Sequence, residues 1–125
     1  MTDAQPSRKD GLDLRLADYL NHITDAIIRI ERYIDDCDEL GFLNSTLIQD
    51  AVLRNIEIIG EASHSVEVRF PEFANAHADV PWSVAYATRN VISHGYFKVD
   101  LELVWKMVHA DLPPLYEQVK KLLDE

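Results

Sequence analysis

Seven apolar positions constrain this chain more than any other feature: Leu16, Leu20, Ile23, Ile27, Ile30, Ile34 and Cys37 follow one another at alternating spacings of four and three. That period keeps one stripe on one side of an α-helix, the seam of a helix packed at a shallow angle in a bundle. It predicts a long helix from about Leu12 to Glu39, roughly 40 Å at 1.5 Å per residue. Gly41 is placed to supply a left-handed stop, and Asn44 or Ser45 to cap the next helix by accepting a backbone N–H. So short a joint makes the two helices antiparallel neighbours.

The second helix is expected over about Ser45 to Val68, with Ile48, Val52, Ile56, Ile59, Ala62 and Val66 on its apolar face. Gly60 lies inside it. Glycine costs about 1 kcal/mol relative to alanine in a helix interior, so close approach by another helix is the expected compensation. Phe70-Pro71 breaks the pattern, and the stretch to Val80 reads as irregular with one helical turn. Pro81 suits the first position of a third helix, with Trp82, Ala85, Val91 and Ile92 facing the core and a stop near His94, before Gly95. Asp100 caps a fourth helix, Pro113-Pro114 breaks or kinks it, and a last segment runs to Leu123. No strand-like alternation of useful length occurs. The fold class is therefore all-α, an antiparallel bundle of four to five helices. A flexible polar segment is expected over residues 1–11 and one helical domain over residues 12–125, a length suited to a single core.

Hydrophobic residues make up 47% of the chain and charged residues 27%, which argues against disorder. Twelve Lys and Arg face 22 Asp and Glu, a formal charge of -10. A field of that sign repels phosphate backbones, so any action on nucleic acid must rest on a local basic site. The single cysteine, Cys37, has no partner for an intrachain disulfide and reads as a small hydrophobe in the seam. With no leader-like start and no long uncharged apolar run, a cytoplasmic protein that neither is secreted nor spans a membrane is expected.

The densest chemistry is Arg89-Asn90-Val91-Ile92-Ser93-His94-Gly95-Tyr96. Asn90 and His94 are four apart and share a helix face, with Arg89 about 100° around the axis and still able to reach that side. Arginine clamps a phosphate through a planar fork of donors, and histidine exchanges protons near neutral pH. A place near a helix C-terminus favours the protonated ring. The residues alone leave a second reading open, in which His94 satisfies terminal carbonyls, Arg89 pairs with an acid and Tyr96 packs its ring.

The spacing arginine, four residues, histidine, any residue, tyrosine stands here as Arg89, His94 and Tyr96. With Arg54-Asn55-Ile56-Glu57-Ile58-Ile59-Gly60-Glu61-Ala62, the stretch from Val99-Asp100 to Trp105, and Asp111-Leu112-Pro113, it resembles the HepT-like family, also described as DUF86, within the HEPN superfamily of helical ribonucleases. The resemblance covers nearly all of the chain from Leu12 onward. It implies the toxin of a two-gene toxin-antitoxin system, a homodimer whose two motifs line one cleft and cleave RNA without a metal or cofactor. Arg89 would hold the scissile phosphate and His94 would transfer protons as the ribose 2'-hydroxyl attacks, which restricts cleavage to RNA. Asn90, Ser93 and Lys98 would bind or orient substrate. The family further implies an antitoxin, a minimal nucleotidyltransferase that adds AMP to the motif tyrosine, here Tyr96. The added phosphate would neutralise the arginine that substrate needs.

A noncatalytic helical subunit that binds a nucleotidyltransferase or its nucleotide is the rival reading. Glu61-Ala62-Ser63-His64 has the Glu-x-x-His spacing of carboxylate-bridged di-iron bundles, but no second copy exists, so no metal site is expected. Glu57 and Glu61 read instead as polar support for the bundle, with Arg54 as ion partner. Trp82 and Trp105 read as core or dimer interface.

Overall fold

The computed structural model describes residues 8–9, 12–93 and 100–125, with side chains over 12–89 and 100–125. Within these residues the chain is all-α, with five longer helices and two short ones. A two-residue antiparallel ladder precedes them, β1 (Arg8–Lys9) against β2 (Leu12–Asp13), with Lys9 opposite Leu12. It is too short for alternation to signal it. The rest of the expected N-terminal segment lies outside the described residues.

Helix α1 (Leu14–Ile34) starts where the Asp13 side chain accepts the Arg15 N–H at 2.8 Å. The seam from Leu16 to Ile34 is buried, and Leu20, Ile23, Ile27 and Ile30 have no exposed surface. The helix stops five residues short of the expected Glu39. Asp35, Asp36 and Asp38 explain this, because carboxylates oppose the negative end of a helix dipole and aspartate favours caps. Asp38 in turn caps a short helix α2 (Glu39–Leu43), accepting the Gly41 N–H at 2.8 Å. Gly41 is thus a first-turn residue of α2 and not a left-handed stop. Its place in the connection lets Phe42 reach the core, fully buried and 5.4 Å from the Trp105 ring.

Ser45, one of the two expected caps, accepts the Ile48 N–H at 3.2 Å and opens α3 (Thr46–Arg69). Two contacts show that α1 and α3 run antiparallel: Tyr19, early in α1, meets the Phe70 ring after the end of α3 at 6.4 Å, while Arg29, late in α1, donates Nε to Asn55 Oδ1 at 2.7 Å. Asn55 is 4% exposed and also donates to the Ala51 carbonyl at 2.9 Å. The segment expected to be irregular with one turn contains α4 (Pro71–Ala76), and Trp82 is buried beyond it with its indole N–H on the His77 carbonyl at 3.2 Å.

Helix α5 (Trp82–Ser93) begins one residue later than expected, and the Pro81 carbonyl accepts the Ala85 N–H at 3.1 Å. The expected stop near His94 and the core positions Val91 and Ile92 concern side chains or residues outside those described. Asp100 caps α6 (Leu101–Ala110) through the Leu103 N–H at 3.1 Å. The proline pair does separate two helices: α7 (Leu112–Asp124) starts just before it, so both prolines sit in a first turn where their missing donors cost nothing. Leu112, Leu115, Val119, Leu122 and Leu123 close the core from this side.

The Arg29–Asn55 bond is a polar tie between α1 and α3. Asn55→Ala removes it together with packing volume, and urea unfolding should show a loss of about 1.5–3 kcal/mol.

Candidate functional site

Arg89 is carried by α5, and α3 decides where it stands. The two helices meet through three contacts at three-residue steps. Ser83 Oγ donates to Glu67 at 2.6 Å, the Tyr86 ring stacks on His64 with centroids 3.9 Å apart and planes 11° from parallel, and Arg89 Nη2 donates to Glu61 Oε2 at 2.7 Å. As the α5 numbers rise the α3 numbers fall, so these helices too are antiparallel. Residues three apart lie near one another on a helix face, which turns the three contacts into one continuous seam.

Gly60 lets the helices come this close at the arginine. A Cβ built on Gly60 would lie 2.2 Å from Arg89 Cβ and 2.9 Å from the Ala85 carbonyl oxygen. The expectation that Gly60 permits close helix approach is borne out, and the approaching residue is Arg89 itself. Its stem rests on the α3 backbone while its head meets Glu61, leaving the side chain 22% exposed against 59% for Glu61. An ion pair this open to water contributes little stability, about 0–1 kcal/mol, so its main effect is to orient the guanidinium. The reading in which Arg89 pairs with an acid is met by Glu61.

Asn90 and Ser93 fall in the last turns of α5, with their side chains outside the described residues. His94, Tyr96 and Lys98 lie outside them altogether. Glu61 is the site residue that sequence reasoning placed wrongly. Arg54 was expected as ion partner for Glu57 and Glu61 alike; it does contact Glu57, at 3.7 Å, whereas the partner of Glu61 lies 28 positions away. The signal was its neighbour: a glycine that marks a helix crossing puts the next residue at the edge of that crossing. His64, the other half of the Glu-x-x-His spacing, stacks on Tyr86, and among the described residues no three His, Cys, Asp or Glu side chains gather as a metal set. Burial, with smaller contributions from Asp38 and Asp36, raises the Cys37 thiol above its ordinary range and away from the reactive thiolate. No helix among the described residues is long and apolar enough to cross a membrane.

Residues 23–122 match the family model described as Ribonuclease HepT-like. The chain is 37% identical over 105 residues to a Thermococcus cleftensis protein named "Probable ribonuclease HepT", a match covering 84% of this chain and 93% of that one. It is 42% identical over 107 residues to the Methanocaldococcus jannaschii protein named "Gamma-glutamylcyclotransferase and putative RNase MJ0434". That match covers 86% of this chain but 47% of the longer relative, so the chain spans about half of that protein. No solved structure was found to match.

Gly60→Ala sets about 1 kcal/mol of helix propensity against overpacking of about 1–3 kcal/mol. Because the clash is with a Cβ and a backbone carbonyl rather than a flexible side-chain end, overpacking should win. A net loss of up to about 2 kcal/mol is expected in urea unfolding.

Proposed function

The chain belongs to the HepT-like ribonuclease family, and from that premise we propose that it cleaves RNA without a metal as the toxin of a toxin-antitoxin pair. The observation that carries the reading is Arg89, the motif arginine, oriented at a helix crossing by Gly60 beneath it and Glu61 beside it. Arg89 holds the scissile phosphate and stabilises the charge that builds on its oxygens. The ribose 2'-hydroxyl attacks phosphorus, one group taking its proton, and the bond to the 5'-oxygen breaks as that oxygen receives a proton. The products carry a 2',3'-cyclic phosphate and a 5'-hydroxyl. His94 performs the proton transfers, and Asn90, Ser93 and Lys98 orient the strand. Two subunits place both motifs in one cleft, so two copies of Arg89 and His94 supply the local positive potential that a chain of charge -10 lacks elsewhere.

Control comes from a cognate minimal nucleotidyltransferase that adds AMP to Tyr96. The tyrosyl oxygen attacks the α-phosphorus of ATP and pyrophosphate leaves. The new phosphodiester brings negative charge and bulk beside the clamp.

RNA incubated with the purified protein in excess chelator should be cut, and Arg89→Ala or His94→Ala should lower the rate about 100-fold or more while circular dichroism shows the helical fold retained. Equal cleavage by all three would trace the activity to a contaminant. No cleavage by any of them, with tight binding of the nucleotidyltransferase, would favour the noncatalytic subunit. With the partner nucleotidyltransferase and ATP, mass spectrometry should find AMP additions that Tyr96→Phe abolishes; additions at another residue would remove that assignment.

A further inference from the structure

A groove of about 430 Å³ runs between α1 and α3, walled by Tyr19, His22, Asp25 and Arg29 on one side and by Arg54 and Glu61 on the other. Glu61 joins it to the motif, because the carboxylate in the groove wall is the one that holds Arg89 at 2.7 Å. Resting on the ribonuclease reading, we propose that this groove is a nucleotide subsite, which takes the base and ribose phosphate next to the phosphodiester held by Arg89.

Single-stranded RNA is recognised by unstacked bases lying on aromatic rings or guanidinium planes, with hydrogen bonds to their edges. The groove brings these groups together. Tyr19 and His22 stand edge to face with centroids 6.4 Å apart, and His22 is exposed. Arg29 is fixed before any ligand arrives, since its Nε is bonded to Asn55 at 2.7 Å. Arg54 is 68% exposed and makes only a 3.7 Å contact with Glu57. Asp25 is exposed and accepts hydrogen bonds from an exocyclic amine or a ribose hydroxyl. The volume falls in the range of small-ligand sites, roughly 300–1,000 Å³. Charge also favours this face. Among the residues that line the groove, Arg29 and Arg54 match Asp25 and Glu61, so the groove itself is near neutral in a chain of net charge -10, and a phosphate strand meets less repulsion here.

The test uses the full chain and a fluorescent single-stranded 2'-O-methyl RNA of mixed sequence, which binds but lacks the attacking hydroxyl. His22→Ala and Arg54→Ala alter exposed side chains, and Arg32→Ala removes the same charge as Arg54→Ala from an exposed α1 position outside the groove. The first two should raise Kd about fivefold or more, the scale of one lost stacking or guanidinium contact, and raise KM for cleavable RNA with kcat nearly unchanged. Arg32→Ala should stay within about twofold of wild type by the same measure. Wild-type binding by both groove variants, or an equal loss in Arg32→Ala, overturns the subsite even if RNA is cut normally. A wild-type protein that neither binds nor cuts RNA overturns the ribonuclease reading, and the subsite with it.

Discussion

The approach of α5 to α3 at Gly60 is the constraint on which the rest of the site depends. Two helices whose side chains interdigitate usually keep their axes about 8–10 Å apart. Here one residue without a Cβ lets the root of Arg89 settle onto the opposite backbone. The long arginine stem is then packed rather than free, and ordering a side chain of this kind costs up to about 2 kcal/mol of rotamer freedom. That cost is met during folding. Glu61, the next residue on α3, completes the arrangement by turning the head of the same side chain.

Much of this could be read from the sequence because it is periodic. The seam of α1, the apolar face of α3, the caps at Ser45 and Asp100 and the break at the proline pair all follow from local rules of spacing and capping. The connection after Ile34 did not, because apolar spacing continues to Cys37 while three aspartates end the helix, and a count of hydrophobic positions does not weigh them. Arg89 was singled out by its motif and Gly60 by its cost. Their meeting was not, since nothing local joins position 60 to position 89. Glu61 was misplaced for the same reason: its nearby arginine, Arg54, lies on the same helix, whereas its partner arrives from another.

The net charge of -10 is spread unevenly in its effect. On the face that carries Arg29, Arg54 and Arg89, each guanidinium has a polar or acidic side chain within reach, namely Asn55, Glu57 and Glu61. Such pairing adds little to stability at exposed positions, but it holds cations in place on a protein that is otherwise acidic. Surface electrostatics here serve placement more than cohesion.

The seam between α3 and α5 makes the latter helix a ruler. Each contact, at Ser83, Tyr86 and Arg89, is one further tick along the axis. One inserted residue between Tyr86 and Arg89 would advance the arginine by about 1.5 Å and swing it by roughly 100°, off the α3 face entirely. Evolution of such a chain is therefore free to change the chemistry of many surface positions, while the count of residues along this one helix is not negotiable.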